Sequence, residues 1–404
     1  MRILWGCILP FVGICHLVAE APFLRTQLLF EPEAWHNHGS CIVETPQGDM
    51  LICWFHGSGE RKADDVMIEG SRLRRGTTSW SRRFLLADTP GYSDGNPCMF
   101  IDPQKRLWLL HTTILAHTWE SALLKCRLSS DYERHGPPKW EQSEVIHVTP
   151  GPEFDAGMDF AMPRLADQAA AMSLTERQRA EVDEYLGAMR QHTTNKLYRR
   201  LGWMTRAHPF ILENKRLIIP LYHDGFSISL MAITDDWGRT WSTSSPLIGG
   251  GNIQPSIALR RDGSLYTLMR DNGPPPARLL QSDSRDRGES WSTVTDSLLP
   301  NPGSGSEIIT LRNGDWLVIG NDTERGRHKL AVWLSDDEGR SWKWKRHLED
   351  RPIGHGSFHY PSVIESKDGS FHASYSQFLN VSDRESKTIK HAQFNRQWIL
   401  QVDP

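Results

Sequence analysis

The chain places a small set of chemically capable side chains at the ends of apolar runs. Arg270 closes the run Ser264-Leu265-Tyr266-Thr267-Leu268-Met269-Arg270, with Asp271-Asn272 behind it. Arg325 and Arg327 lie two residues apart, and Arg327 precedes Ser335 by eight residues. A surface arginine is ordinarily just solvated. Guanidinium forks at equivalent loop positions can instead converge on one carboxylate. Asp64 and Asp65 are adjacent in Glu60-Arg61-Lys62-Ala63-Asp64-Asp65, and paired loop acids are either solvated charge or the source of a general acid. Tyr360 leads a strand-like run in His355-Gly356-Ser357-Phe358-His359-Tyr360-Pro361-Ser362, where core packing is the ordinary reading. His36, His38, His223, His355 and His359 form a dense set that can supply base and binding roles or stand solvated on a rim.

Whatever positions these residues must be repetitive. Thr234-Asp235-Asp236-Trp237-Gly238-Arg239-Thr240-Trp241 recurs as Ser335-Asp336-Asp337-Glu338-Gly339-Arg340-Ser341-Trp342. A third copy, with two extra residues, is Ser282-Asp283-Ser284-Arg285-Asp286-Arg287-Gly288-Glu289-Ser290-Trp291. The final tryptophans stand at 241, 291 and 342, steps of 50 and 51 residues, a period that signals a repeat architecture. The short polar side chain opens a turn, glycine supplies a positive φ, and tryptophan plugs the space between strands. Each copy follows an apolar or alternating run, so it reads as a hairpin turn.

Six sets of short strands can be drawn between Ser40 and His391, with Asp262-Gly263, Asn313-Gly314 and Asp368-Gly369 as turns between inner strands. Gly76-Thr77-Thr78-Ser79-Trp80 is a worn copy of the repeat motif, and the sixth set lacks one. Gln27-Leu28-Leu29-Phe30 is expected to complete the sixth set and close the ring. The step from Trp140 to Trp241 is 101 residues, and its excess is rich in helix formers. Ser173-Leu174-Thr175-Glu176 reads as a capping start, with Leu186, Met189 and Leu197 on one apolar face. A helical hairpin inserted over residues 165–202 on the rim of the third blade is expected.

The 404 residues carry a net charge of −3, which argues against bulk nucleic-acid binding. Residues 3–18 are mostly apolar after Arg2, and Ala19-Glu20-Ala21 has the small-x-small form of a cleavage site. A signal peptide over residues 1–21 is therefore expected, with a secreted or periplasmic mature chain that carries no membrane span. Of six cysteines, Cys7 and Cys15 fall in that segment. Cys41, Cys53, Cys98 and Cys126 remain; Cys41 and Cys53 flank a hairpin and could bridge or stay as buried thiols. No Cys/His spacing suggests structural zinc.

The motif resembles the Asp-box of sialidases and related propellers, and the resemblance covers nearly the whole mature chain. It implies an all-β, six-bladed β-propeller over residues 22–404, with the boxes on the side away from the site. It further implies an exo-acting glycosidase that removes a terminal acidic sugar. On that resemblance Asp65 is the acid/base, with Asp64 as the one-residue alternative, and Tyr360 is the nucleophile. Arg270 and Arg327 match two members of the carboxylate-gripping arginine cluster. Arg325, His223 and His359 stand beside them as binding candidates. The family's Arg-Ile-Pro place reads His38-Gly39-Ser40, and the place of the tyrosine's partner acid reads Gln254. His38 and Gln254 are therefore assigned to those two positions. No metal or organic cofactor is implied; the partner is a glycan or oligosaccharide, and a monomer is expected.

Two other readings stay open. One is a different polysaccharide-cleaving activity on the same propeller, a hydrolase or lyase of uronate or deoxy-sugar ends, with His38 and Tyr360 doing acid/base work. The other is a non-catalytic glycan-binding propeller.

Overall fold

The computed structural model describes residues 20–381 and 384–401. Residues 1–19, most of the expected signal peptide, lie outside the described residues. Six antiparallel sheets are arranged as the blades of a propeller. From the axis outward, blade 1 is His36–Glu44, Met50–Gly57, Met67–Leu73 and Phe84–Ala87. Blade 2 is Ser93–Ile101, Leu107–Ile114, Ala122–Ser129 and Gln142–Val145. Blade 3 opens with two short pieces, Met204–Thr205 and Phe210–Leu212, both paired to Arg216–His223, and continues with Ile228–Thr234 and Ser242–Thr243. Blade 4 is Asn252–Leu259, Leu265–Asp271, Arg278–Ser284 and Thr295–Pro300. Blade 5 is Glu307–Thr310, Trp316–Asn321, Lys329–Ser335 and Trp344–Asp350. Blade 6 is Gly356–Glu365, Phe371–Val381 and Arg384–Phe394, completed on its outer edge by the N-terminal strand Leu24–Leu28. Leu24 pairs with Phe394 and Leu28 with Lys390, so the two ends of the chain share one sheet. That pairing closes the ring and covers an edge that would otherwise be open to other chains.

The repeat motif behaves as a self-satisfied turn. Thr234 Oγ1 accepts from Gly238 N at 2.9 Å, and Asp236 accepts from Thr240 N at 2.9 Å and Thr240 Oγ1 at 2.6 Å. Ser335 and Asp337 repeat this with Gly339 and Ser341. Ser284 and Asp286 do so with Gly288 and Ser290. Gly238, Gly288 and Gly339 have φ of 91°, 89° and 78°. The residue before each is left-handed too: Trp237 at 60°, Arg287 at 65° and Glu338 at 59°. The closing tryptophans, Trp241, Trp291 and Trp342, pack half-buried against the cores between blades.

The insertion is helical, but it begins earlier than the sequence reading placed it. It comprises α1 (Pro152–Ala171), α2 (Glu176–Thr194) and α3 (Lys196–Arg200), and lies between the last strand of blade 2 and the first of blade 3. Pro152, Gly157 and Pro163 read as breakers, yet Pro152 sits in the first turn, where no intrahelical N–H is needed. Phe154, Met158 and Met162, spaced by four, supply the buried stripe of α1. Thr175 caps α2 with a full capping box to Gln178, and Leu186 and Met189 are buried as expected. Leu197 is 60% exposed, because the chain breaks at Asn195 and starts a new helix off that face.

No disulfide forms among the described residues: Cys41, Cys53, Cys98 and Cys126 are all free and buried. Cys41 and Cys53 are cross-strand partners, and Cys41 Sγ lies 3.8 Å from Cys98 Sγ. Cys41 Sγ is also 3.4 Å from His208 Nε2, whose Nδ1 is 2.7 Å from Glu307 Oε1. This chain of groups ties the inner strands of blades 1, 2, 3 and 5 together near the axis. No helix among the described residues is long and apolar enough to cross a membrane.

Candidate active site

Strand direction separates the two ends of the propeller. In blade 4 the inner strand starts at Asn252, turns at Asp262-Gly263 and returns to Asp271; the third strand then runs from Arg278 down to the Asp286 turn. The repeat motifs therefore share an end with the inner hairpins. The first residues of the inner strands and the last of the second strands lie at the opposite end.

At that opposite end four inner strands carry the same irregularity. Between His38 and Cys41, Gly95 and Cys98, Ile253 and Ser256, and His359 and Ser362, three steps on the inner strand face two on its neighbour. One extra residue at each place is a β-bulge, which re-aims a side chain. The bulges hold Gly39, Asn96, Gln254 and Tyr360 at φ of 65°, 48°, 54° and 46°. For the three non-glycine residues this backbone costs about 1–3 kcal/mol each. All three precede proline, which restricts their backbone further. At blade 1 only glycine fits, since a Cβ on Gly39 would lie 2.8 Å from the Phe55 ring.

The bulges open onto a cavity of about 310 Å³, lined by Phe55, Glu60, Asn96, Trp119, Tyr222, Asp224, Gln254, Arg270, Asn272 and Tyr360. Arg270 Nη1 donates to Tyr360 Oη at 3.2 Å, while Arg270 Nε is buried without a hydrogen-bond partner among the described residues. The Arg327 guanidinium stands 5.6 Å over the Tyr360 ring. Its Nη1 donates to His359 Nδ1 at 2.7 Å and its Nη2 to Gly303 O at 2.7 Å. His359 Nε2 must then carry the proton, which it donates to Ser357 Oγ at 2.7 Å. Beneath the tyrosine, Arg206 bonds the carbonyls of Ser40, Tyr360 and Pro361 and fixes the bulge from below. The His38 ring lies 4.5 Å from that of Tyr360, and His38 Nδ1 is buried without a hydrogen-bond partner among the described residues. Burial, with the charges of His359, His36, Arg327 and Arg206, holds His38 well below the usual histidine range. His359 is likewise held well below it, by burial and then by Arg327. Both rings are neutral near pH 7.

Two carboxyl groups share the cavity, and their surroundings pull them apart. Burial pushes Asp224 up to about 6, with Glu120 and Glu60 adding to the shift and Arg270 and Arg61 opposing it. Burial also acts upward on Glu60. There the hydrogen bond and charge of His36, at 3.2 Å, and the charges of Arg61 and Arg327 prevail and lower it. Opposed shifts in one site are the signature of an acid and an ionised partner. Tyr222, pushed up by burial and by Asp224, accepts from Asn96 Nδ2 at 3.1 Å across the blade 2–blade 3 boundary.

The sequence-derived candidates thus divide. Tyr360, Arg270 and Gln254 line the cavity; Arg327 and His38 pack directly behind Tyr360, and His359 packs against those two. Asp65 and Asp64 stand outside it. Asp65 is exposed and accepts from Ser58 N and Oγ at 3.1 and 2.9 Å, which closes its own loop. Asp64 pairs with exposed His117 at 2.6 Å. The same loop sends Glu60 into the cavity instead. Arg325 is exposed at its loop tip, as is His355. His223 is fully buried against Trp203 and Phe226, facing the helical insertion. Its neighbour Asp224, unnoticed in the sequence, enters the cavity. The available signal was position: Asp224-Gly225 follows the second strand of blade 3 as Asn272-Gly273 follows that of blade 4. No group of three His, Cys, Asp or Glu side chains among the described residues is arranged to hold a metal ion.

The BNR repeat-like domain family matches this chain over residues 48–156 and 191–373. The chain belongs to the BNR repeat-like family. Its propeller is of the sialidase type. The NanB sialidase of Streptococcus pneumoniae superposes with a TM-score of 0.66 at 12% identity, over 92% of this chain and 71% of that one. The intramolecular trans-sialidase of Ruminococcus gnavus gives 0.66 at 13%, over 91% and 96%. A Dyadobacter fermentans protein of unknown function gives 0.66 at 12%, over 92% and 99%. At such identities the likeness establishes the fold.

Proposed function

We propose that this BNR propeller is an exo-acting glycosidase that hydrolyses a terminal acidic sugar. The observation that carries the reading is Tyr360: strained at φ 46°, it holds its hydroxyl 3.2 Å from Arg270 in a cavity that also contains the raised carboxyl Asp224. In this mechanism Arg270, whose Nε has no partner among the described residues, receives the sugar carboxylate, while Arg327 backs the Tyr360 ring. Asp224, protonated, gives its proton to the leaving oxygen while Tyr360 Oη attacks the anomeric carbon and passes its proton to Glu60, the lowered carboxylate of the same cavity. Water then attacks the glycosyl-tyrosine, Asp224 taking the proton from water and the phenol recovering its own from Glu60. A neutral phenol suits an anomeric centre beside a carboxylate, which repels an anionic nucleophile. Asp224 here takes the acid/base role that the resemblance gave to Asp65. We further propose export from the cytoplasm, which the apolar residues 3–18 support.

The test is release of 4-methylumbelliferone from its sialic acid conjugate, beside uronate- and rhamnose-terminated oligosaccharides. Tyr360→Phe and Asp224→Asn serve as controls. Turnover abolished by Tyr360→Phe is the expected result, and turnover on none of these sugars would sink the reading. A second reading rests on Gln254, a neutral amide beside Tyr360, which suits elimination from a uronate. There Tyr360 Oη, deprotonated, takes the proton next to the carboxylate, the glycosidic oxygen on the adjacent carbon leaves with a proton from Asp224, and Gln254 holds the carboxylate. A product with the ultraviolet absorbance of an unsaturated uronate would select it.

A further inference from the structure

The helical insertion contributes none of the described residues lining the cavity, yet it grips the turn from which Asp224 enters. The turn joins Arg216–His223 to Ile228–Thr234. Such a hairpin tip is normally among the mobile parts of a fold. Here Phe226 is fully buried, with ring centroids 5.5 Å from Phe154 of α1, 5.9 Å from His192 of α2 and 4.7 Å from His223. Tyr185 of α2 donates its hydroxyl to Phe226 O at 2.9 Å. Inside the turn, Ser227 N and Oγ both donate to Asp224 O, at 3.1 and 3.2 Å, with Ser227 at φ 50°. Asn272 reaches Ser227 Oγ from blade 4 at 3.4 Å. A Cβ on Gly225 would lie 2.7 Å from the Glu120 stem, so the glycine lets blade 2 close against the turn. The turn is held from three sides, and α1 and α2 form the largest of them.

We propose that the insertion is a positioning device for the active site: Phe226, pegged between the helices, and Tyr185, bonded to its carbonyl, fix the place of Asp224. The inference deepens the glycosidase reading and rests on Asp224 acting as its acid. Phe226 and Tyr185 are positioning residues and touch no substrate. The groups facing Asp224 are Tyr222 on its own blade, Arg270 from blade 4, Glu120 from blade 2, and Glu60 and Arg61 from blade 1. None belongs to the insertion. The insertion therefore acts through the depth at which the turn is held. Loosening the turn lets water reach the carboxyl, whose proton affinity then falls toward that of an ordinary aspartate.

The experiment titrates the Asp224 carboxyl by carbon NMR in the full chain labelled at aspartate, with the signal assigned by Asp224→Asn. Tyr185→Phe removes only the hydroxyl, and Phe226→Leu keeps an apolar peg without the ring. Both variants are checked for native melting. The expected result is a midpoint lowered by about one pH unit in Tyr185→Phe, and further in Phe226→Leu. The alkaline limb of kcat/KM should move to lower pH by the same amount. An unchanged midpoint in both variants overturns the proposal. Full turnover by Asp224→Asn would instead remove the acid role from Asp224, and the titration would still report whether the insertion governs that carboxyl.

Discussion

The two ends of this propeller use the same unusual backbone for opposite purposes. At the repeat-motif end, left-handed pairs such as Arg287-Gly288 and Glu338-Gly339 are wrapped by backbone N–H groups that donate to a serine and an aspartate. The polar groups there satisfy one another, and the same geometry recurs in three blades. At the cavity end, left-handed Asn96, Gln254 and Tyr360 project into open space, and Arg270 Nε and His38 Nδ1 have no hydrogen-bond partner among the described residues. Each bulged blade there offers a different side chain. Repetition builds a closed, chemically silent frame, and the strained, unpaired positions that break the repetition are where a ligand can complete the bonding.

The sharpest way to break this contrast is to remove single oxygens at the cavity end. Tyr360→Phe should lower kcat/KM more than about a thousandfold while leaving the melting curve nearly unchanged. If activity survives, the bulge residue is structural and the two ends are alike after all. Asp224→Asn should cost about a hundredfold or more in kcat/KM. The pH profile follows from the sign of its shift. Asp224 must be protonated to act as the acid and lies at about 6, so kcat/KM should fall as pH rises through about 6. A profile still rising beyond pH 8 would exclude Asp224 from that role.

The same carboxyl makes a stability prediction that separates the two ends. Its pKa is raised from 3.8 to about 6 on folding. Below about pH 3 it is neutral in both states and contributes almost nothing. As pH rises from about 4 to 6 the unfolded chain releases the proton more readily, so the folded state loses up to about 3 kcal/mol. Asp224→Asn removes that penalty. It should raise Tm clearly at pH 7 and much less at pH 4. Equal shifts at both values would show that the effect is packing, with no part played by the buried charge.

How much of this was legible in the sequence follows the same division. The boxes with Trp241, Trp291 and Trp342 announced the frame, because a turn closed by local hydrogen bonds is written in consecutive residues. Ring closure by an N-terminal strand was legible as the missing strand of blade 6, but it was placed at Gln27–Phe30, and the strand that pairs is Leu24–Leu28. The lining of the cavity was only half legible. Tyr360, Arg270 and Gln254 were found through the family pattern. Asp224 was missed in favour of Asp65 and His223, because choosing by residue type ignores which way the chain turns. Successive side chains point to opposite faces, so His223 faces the helices and Asp224 the cavity. The recurrent Asn96-Pro97, Gln254-Pro255 and Tyr360-Pro361 at the starts of inner strands were a readable sign of the bulges. The start of α1 was hidden by Pro152, Gly157 and Pro163, although the spacing of Phe154, Met158 and Met162 carries it.

The smallest effect belongs to the frame. Asp286 accepts from Ser284 Oγ at 2.8 Å, Ser290 N at 2.9 Å and Ser290 Oγ. Burial acts upward on its pKa, but these bonds prevail and hold it below the usual aspartate range. A lowered carboxyl gives stability that is present above the unfolded value and lost as pH falls through the folded one. Asp286→Ala should therefore lower Tm by about a few degrees at pH 7, and by less as pH falls below about 4. Because the motif lies at the far end of the strands, kcat/KM should not change. A loss of activity at full folding would mean that the two ends are mechanically coupled through the blade 4 strands, and that the frame is not silent.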